Sequence, residues 1–162
     1  MKDDFLDLYE SCFDDVYRYI YFKVGNSWDT DDIVSDTFKK AYEKYKTVKV
    51  NSKSWLFTIA RNAVTDFYRK KKDLLVDDDI SQYSYPDIFE SKLFREIELN
   101  CLKKSIYRLS KEEIEIINLK YFSGMTHKEI SQVLNKTEDA VKMKSSRIIQ
   151  KLKNFVINCL EG

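Results

Sequence analysis

The sequence predicts an all-α protein with two small helical domains joined by an acidic linker. Only three Gly and one Pro occur in 162 residues, and apolar residues recur at helical intervals without the alternating, turn-bounded runs that indicate strands. The single proline, Pro86, lies in a stretch at 73–86 that is rich in Asp and Ser and has no helical period. We therefore place the domains at residues 1–72 and 96–162, with the linker at 73–95.

Charge is distributed unevenly along the chain, although the formal net charge is only +1. Residues 1–36 and 73–100 carry an excess of Asp and Glu, whereas residues 37–72 and 101–162 carry an excess of Lys and Arg. Two basic segments separated by an acidic one indicate two phosphate-facing surfaces, one on each domain.

The first domain begins with two predicted helices. Apolar residues recur at helical spacing from residue 3 to residue 24, and Gly25 with Asn26 stops this helix. A second helix is expected to begin after Asp29 and Thr30. Its apolar side consists of Ile33, Val34, Phe38, Ala41, Tyr42 and Tyr45. Its opposite side is a solvated or partner-binding surface that includes Asp32, Ser35, Asp36 and Lys39.

A polar, basic loop at 46–54 leads into a third predicted helix with two unlike faces. The core stripe consists of Leu56, Ile59, Ala60, Ala63 and Phe67. The opposite face carries Trp55, Thr58, Asn62, Thr65 and Arg69, flanked by Arg61 and Tyr68, and the helix ends in basic residues at 69–72. Flat aromatics, small hydrogen-bonding groups and cations are what an unpaired nucleic-acid strand requires. A core helix with a solvated basic end explains the same pattern.

Two matched capping boxes mark helix starts in the second domain. A helix predicted at 88–107 is followed by S-x-x-E at Ser110 and by T-x-x-E at Thr126, with Gly124 between them. The first box precedes an inward stripe of Ile114, Ile117 and Tyr121.

The chain then closes with the pattern of a helix-turn-helix. Asn135, Lys136 and Thr137 form a three-residue turn, in which Asn135 can take the left-handed conformation and Thr137 can cap the last helix. That helix turns Val141, Ser145, Ile148, Leu152 and Phe155 inward. Its outer face carries Lys142, Lys144, Ser146, Arg147 and Gln150. A plain helical hairpin with a solvated basic face is the alternative.

Several other functions are not expected. Acids at 29, 31, 32 and 36 could suggest a metal site, but capping explains the first three and no calcium-loop spacing is present. Cys12, Cys101 and Cys159 include no C-x-x-C pair, so we expect buried or free thiols rather than a disulfide framework or a zinc site. No long apolar stretch and no basic, apolar leader occur, so a cytoplasmic protein is expected, not a membrane protein.

Three passages resemble bacterial sigma factors of the extracytoplasmic-function type, and together they extend over nearly the whole chain. They are DTDDIVSDTFKKAYEKY at 29–45, SWLFTIARNAVTDFYRKKK at 54–72 and LSKEEIEIINLKYFSGMTHKEISQVLNKTEDAVKMKSSRIIQKLK at 109–153. The resemblance implies a protein that binds core RNA polymerase, melts the minus-ten promoter element with its first domain and reads the minus-thirty-five element with its second.

The resemblance also implies roles for individual residues. Those implied to contact the clamp helices of the polymerase are Asp32, Ser35, Asp36 and Lys39. Those implied to contact the minus-ten strand are Asn51, Ser52, Lys53, Trp55, Arg61, Asn62, Arg69 and Lys70. Those implied to contact the minus-thirty-five element are Thr137, Lys142, Met143, Lys144, Ser146 and Arg147. Arginines are usual where Lys142 and Lys144 stand, and lysine cannot make the planar bidentate contact to guanine, so softer base discrimination is expected.

The resemblance further implies regulation by an anti-sigma protein and implies no catalytic residue, cofactor or metal. A helix-turn-helix regulator that binds duplex DNA alone is the rival hypothesis, but it leaves the polar face of the 52–72 helix without a purpose. A metal-dependent nuclease is a second rival. It is disfavoured because the sequence has no nucleophile–base pairing, phosphate loop or metal-ligand spacing.

Overall fold

A computed structural model describes residues 4–48, 52–74 and 96–162. These segments consist of helices and the turns between them, and no strand occurs within them. The chain divides into two compact units, Met1–Pro86 and Asp87–Gly162. The all-α, two-domain prediction is therefore confirmed. The predicted acidic linker lies outside the described residues, apart from its first two positions, which end a helix.

The first unit is a bundle of three long helices, each packed against the other two. They are α1 (Asp4–Val24), α2 (Ser27–Val48) and α3 (Lys53–Leu74). The bundle core is closed by Tyr19 of α1 and Phe57 of α3, both fully buried, whose rings meet edge to face with centroids 5.4 Å apart. An aromatic pair of this geometry stabilises a core beyond the area that it buries.

Helix α2 begins at Ser27, earlier than the sequence analysis predicted. Gly25 has a φ of 92° and ends α1, and the Asn26 side chain then accepts a 2.8 Å hydrogen bond from the Asp29 backbone N–H. Asn26 therefore serves as the cap that had been assigned to Asp29 and Thr30. Thr30 is instead buried, and its hydroxyl donates to the Asn26 carbonyl at 2.6 Å.

The core stripe of α3 is wider than predicted. Leu56, Ile59, Ala60 and Ala63 are buried as expected, but Phe57 and Val64 are buried with them. Phe67, predicted to lie inside, is only half-buried. A three-helix bundle covers α3 from two sides, so the buried arc exceeds the single stripe that periodicity indicates. The predicted loop is also shorter, because α2 continues to Val48 and α3 begins at Lys53.

In its described residues, 96–162, the second unit contains four α-helices and a short π-helix. These are α4 (Glu96–Tyr107), α5 (Lys111–Ile117), the π-helix (Asn118–Phe122), α6 (His127–Leu134) and α7 (Glu138–Glu161). Residues 88–95 of the helix predicted at 88–107 lie outside the described residues. Both predicted capping boxes are confirmed, because Ser110 and Thr126 each exchange hydrogen bonds with the Glu three residues later.

The π-helix changes which side chains face the core after α5. Ile114 and Ile117 are buried as predicted, but Tyr121, expected in the same stripe, is 55% exposed. A π-helix bonds residues five apart instead of four, so each residue after Ile117 is rotated away from the position that a regular helix gives it. The prediction of an inward Tyr121 is therefore wrong.

The expectation of buried or free thiols holds for one cysteine only. Cys101 of α4 and Cys159 of α7 form a disulfide, with Cα atoms 5.6 Å apart, whereas Cys12 is a buried thiol outside the disulfide. The two bonded cysteines are 58 residues apart in sequence. They meet because α4 packs along α7, and sequence spacing alone carries no sign of that packing.

Candidate nucleic-acid interface

The outer face of α3 presents the polar side chains that the sequence singled out. Thr58, Arg61, Asn62, Thr65, Arg69 and Lys70 are all exposed, and Trp55 at the first turn is half-buried. The hydroxyls of Thr58 and Thr65 donate to carbonyls one turn earlier in α3. Their oxygens therefore remain available only as acceptors on this face, while the exposed Asn62 amide can both donate and accept.

Two residues at the start of α3 are engaged in holding the fold. The Ser52 hydroxyl accepts the Trp55 backbone N–H at 3.2 Å and so caps the helix. The Lys53 ammonium lies 2.8 Å from a carboxylate oxygen of Asp15 on α1. Burial raises the pKa of Asp15, but hydrogen bonds from Lys53 and Arg18 outweigh it, so the pKa is lowered overall. Asn51, which the family resemblance also implies as a contact of the minus-ten strand, lies outside the described residues.

Tyr68 fixes the basic end of α3 to the end of α1. Its hydroxyl donates a 2.5 Å hydrogen bond to the Lys23 carbonyl, one of the last carbonyls of α1, which have no partner within their own helix. Tyr68 was predicted to flank the polar outer face of α3. The structure gives it a part in packing, which holds Arg69 and Lys70 in position beyond it.

Helix α2 presents a continuous polar surface. Asp32, Ser35, Asp36 and Lys39 are all exposed, and we call these four residues the α2 stripe. Asp36 pairs with Lys40 at 2.9 Å, and the same ammonium lies 3.9 Å from Asp66 of α3. The hydrogen bond that Lys40 donates to Asp36 raises the pKa of Lys40, which therefore stays charged at the α2–α3 junction.

The helix-turn-helix of the second unit has the predicted turn. Asn135 is left-handed, with φ 54° and ψ 49°, and Thr137 caps α7 by accepting the Ala140 backbone N–H at 3.1 Å. The hydroxyl of Thr137 is thus used inside the fold. Val141, Ser145, Ile148 and Leu152 are buried as predicted, whereas Phe155 is half-buried beneath the guanidinium of Arg108, 4.0 Å from its ring centre.

A basic groove of about 340 Å³ runs beside the outer face of α7. Lys142 and Ser146, both implied DNA contacts, line it. The other lining residues are Lys120, Tyr121, His127, Ser145, Ile149, Gln150 and Lys153. Lys120, Tyr121 and Lys153 were not predicted for this surface. Lys153 could have been found from the helical period of α7, but the π-helix that brings Lys120 and Tyr121 to the groove leaves no such pattern.

His127 also lines this groove. Burial lowers its pKa below the ordinary value, and the positive charges of Lys120 and Lys142 lower it further, against a small opposite effect of Glu138. At pH 7 His127 is therefore predominantly uncharged, and the positive potential of the groove comes from its lysines.

The structure separates Lys144 from Lys142. Lys144 projects toward α5, where its ammonium lies 2.6 Å from Glu112, and Lys136 of the turn pairs with the same carboxylate. Hydrogen bonds from Lys136 and Lys144 lower the pKa of Glu112 to about 2. Met143 and Arg147 are exposed on the third side of α7. The implied DNA contacts thus do not form a single patch.

No described helix has the length and apolar character needed to cross a membrane. Nor, in the described segments, do His, Cys, Asp and Glu side chains gather in any group of three or more that could hold a metal ion.

A helical unit with an exposed polar and aromatic helix face, followed by a unit with a helix-turn-helix, defines a two-domain DNA-binding protein. Residues 8–73 match the family model of Sigma-70 region 2, and residues 99–152 match that of Sigma-70, region 4. The two matches together cover well over half of the chain. The chain belongs to the sigma-70 family, as a sigma factor of the extracytoplasmic-function type.

Relatives of this type match the chain along most of its length. The sigma factor BldN of Streptomyces coelicolor is 28% identical over 161 residues, covering 93% of this chain, which spans only 59% of the length of BldN. SigM of Bacillus subtilis is 29% identical over 151 residues, 91% of both chains. The sigma factor RpoE of Bartonella quintana, solved with the anti-sigma factor NepR, shares the fold. That comparison has a TM-score of 0.70 and 23% identity, over 94% of this chain and 96% of RpoE.

Proposed function

We propose that the chain binds core RNA polymerase and directs it to promoters, without catalysing a reaction itself. The observation that carries the proposal is the combination of an exposed face of hydrogen-bonding and cationic side chains on α3 with a helix-turn-helix in a second unit. Binding to duplex DNA alone needs only the helix-turn-helix. A protein that also presents hydrogen-bonding and cationic groups on a rigid helix can hold unpaired bases.

In the proposed mechanism, the α2 stripe docks on the polymerase clamp helices while α3 captures the minus-ten strand. Flipping a base costs a few kcal/mol, and stacking on an aromatic side chain returns about 1–3 kcal/mol per base. A short captured segment therefore shifts the melting equilibrium once polymerase holds the duplex. Trp55 is the stacking candidate, Asn62 contacts base edges, and Arg61, Arg69 and Lys70 neutralise phosphates.

The second unit reads the minus-thirty-five element with α7. Lys142, Met143 and Ser146 approach base edges and Arg147 holds the backbone, whereas Lys144 reaches the backbone only by giving up its ion pair with Glu112. Because the two units are covalently linked, docking of one raises the effective concentration of the other at the promoter. The linked pair can therefore bind tightly although each unit contacts few bases.

An anti-sigma factor is the proposed regulator. RpoE was solved with the anti-sigma factor NepR, and the surfaces that this chain offers to polymerase and DNA are exposed in the same way to a competing protein. A partner of that kind would act by covering the α2 stripe or the face of α3. The proposed place of action is the cell interior, where polymerase and promoters are found.

Transcription reconstituted from purified components tests the proposal. The chain is mixed with core polymerase from its own organism and genomic DNA fragments, and transcript starts are mapped. Starts that depend on the chain, preceded by two shared sequence elements, are the expected result. Failure to bind core polymerase in a pull-down, with duplex binding retained, would instead favour the helix-turn-helix regulator.

Replacing Lys142 is expected to weaken recognition of the upstream element. Lys142→Ala removes a groove cation that forms a 3.4 Å ion pair with Glu138 of the same helix. We expect a loss of about 1–2 kcal/mol, in the range of a charged hydrogen bond, with a change in base preference at one position. Selection of binding sites from a randomised upstream element measures both. Lys104→Ala, which removes the same charge from α4, is the control, and an unchanged base preference in Lys142→Ala would remove Lys142 from the reader.

Replacing Glu112 is expected to strengthen DNA binding. Glu112→Gln abolishes the carboxylate that holds Lys136 and Lys144, so both ammonium groups become available to phosphate. We expect a several-fold lower Kd and a plot of log K against log salt that is steeper by up to about two, since each added phosphate contact contributes about 0.9. Binding titrations at several salt concentrations measure the slope.

The matched control for this substitution is Glu98→Gln. It makes the same change of charge at an exposed position of α4, so it reproduces any effect of net charge on DNA binding. An equal gain in both variants would show that Lys144 is not withheld from DNA by Glu112.

A further inference from the structure

Trp28 is the large apolar side chain most open to solvent among the residues that the structure describes, at 81% exposure. A single exposed apolar residue requires no explanation by itself. Tryptophan is nevertheless the residue type most enriched at the energetic centres of protein interfaces, where its large ring fills a recess in the partner. Its position on the molecule therefore decides what it can do.

Trp28 lies in line with the α2 stripe. Asp32, Ser35 and Lys39 follow it at intervals of four, three and four residues, the spacing of one helix face. At 1.5 Å per residue, the line from Trp28 to Lys39 extends about 16 Å along α2. The opposite face, which includes Ile33 and Thr37, is buried against the bundle. Trp28 thus forms the apolar end of an otherwise polar surface.

The turn that carries Trp28 is held firmly. On either side of it, Asn26 and Asp29 exchange two hydrogen bonds of 2.8 Å, and the buried Thr30 hydroxyl donates to the Asn26 carbonyl. A side chain on a fixed backbone loses less conformational entropy on binding than one on a mobile loop. The backbone that carries the indole is therefore already ordered before a partner binds.

The charges around Trp28 limit the chemistry of that partner. Asp29, Asp31, Asp32 and Asp36 lie on the same half of α2, and the last three are exposed. These carboxylates repel phosphate, so stacking of the indole on a nucleic-acid base is disfavoured there. They attract a protein surface that carries Lys or Arg, and a guanidinium can also stack on an indole ring.

We propose that Trp28 is an anchor for core RNA polymerase, inserted into a recess on a basic helical surface of the polymerase as α2 docks. The inference rests on the proposed function, which supplies polymerase as the partner of the α2 stripe. It extends that docking surface by one turn toward the start of α2 and makes an apolar contact its energetic centre. The acidic residues then provide orientation and attraction at a distance.

Equilibrium binding of core polymerase tests the anchor. Trp28→Ala is expected to weaken binding by about tenfold or more, as truncation of a tryptophan hot spot does, and Trp28→Phe to recover part of the loss. The matched control is Leu6→Ala, which truncates an apolar side chain of α1 that is 51% exposed and lies off this surface. Circular dichroism checks that each variant folds, which is expected because Trp28 makes little contact with the bundle.

A spectroscopic readout locates the indole directly. The chain has two tryptophans, so 7-azatryptophan incorporated into a Trp55→Phe variant reports on Trp28 alone and can be excited apart from the tryptophans of polymerase. Addition of core polymerase is expected to shift its emission to the blue and to protect it from acrylamide.

The possible outcomes are distinct. If the wild-type chain binds polymerase but Trp28→Ala binds equally well, or if the probe stays quenchable in the complex, the anchor is overturned and the proposed function stands. If Trp28→Ala instead loses promoter DNA at normal polymerase affinity, the partner of Trp28 is nucleic acid and the proposal is wrong. If the wild-type chain does not bind polymerase, the anchor and the proposed function fail together.

Discussion

Reduction of the Cys101–Cys159 disulfide is expected to lower the free energy of unfolding of the second unit by about 2–4 kcal/mol. The bond joins residues that are 58 positions apart, and closing a loop of that length removes up to about 4 kcal/mol of entropy from the unfolded chain in the polymer model. Since small domains are stable by only about 5–15 kcal/mol, the loss is a large fraction of the total. Hydrogen exchange with and without reductant measures it.

The first unit serves as the internal reference for this measurement. Its one cysteine, Cys12, is a buried thiol outside the disulfide, so exchange from α1, α2 and α3 is expected to be the same in both conditions. A Cys101→Ser and Cys159→Ser double variant is expected to have the stability of the reduced chain and to be insensitive to reductant. Equal protection of α4 and α7 in the oxidised and reduced chains would show that packing, not the bond, holds these helices together.

Truncating Trp55 and Asn62 together is expected to reduce open promoter complexes by about 10- to 100-fold while polymerase binding is kept. Loss of one stacked base costs about 1–3 kcal/mol, and each 1.4 kcal/mol is a factor of ten. Neither side chain is buried, so the bundle is expected to remain intact. Permanganate reactivity of unpaired thymines measures melting, and a pull-down with core polymerase measures docking.

Lys71→Ala is the matched control for the double variant. Lys71 is exposed on α3, on the side of the helix opposite Trp55 and Asn62. Its ammonium lies 5.9 Å from the Phe67 ring centre. Loss of this charge is expected to leave melting within a few-fold of the wild-type level. If the double variant lost polymerase binding and melting to the same extent, the α3 face would be a structural or docking surface instead of a strand-binding one.

Features fixed by neighbouring residues could be predicted from the sequence, and features fixed by distant ones could not. The capping boxes at Ser110 and Thr126 and the left-handed Asn135 depend on interactions within a few residues, and all three occur as predicted. The disulfide requires α4 to lie along α7, and the burial of Phe57 requires a third helix over α3. Both depend on packing between helices that are far apart in the chain.

The candidate site shows the same division. Helical periodicity correctly placed Asn62 and Lys142 on exposed faces, because the face of a regular helix follows from spacing alone. Periodicity failed at Tyr121, where the helix changes its hydrogen-bond pattern. It also could not show that Lys53 and Lys144 are ion-paired within the fold, since Asp15 and Glu112 are brought to them by other helices.

The hydrogen bond from Tyr68 to the Lys23 carbonyl connects all three helices of the first unit. Lys23 lies just before the Gly25 turn into α2, so this contact joins the basic end of α3 to the corner from which the α2 stripe starts. The ion pairs that connect α3 to α1 and α2 brace the same bundle at other points. The first unit is therefore cross-braced as one body, and under the proposed function it keeps a fixed distance between the α2 stripe, which docks on polymerase, and the α3 face, which receives the unpaired strand.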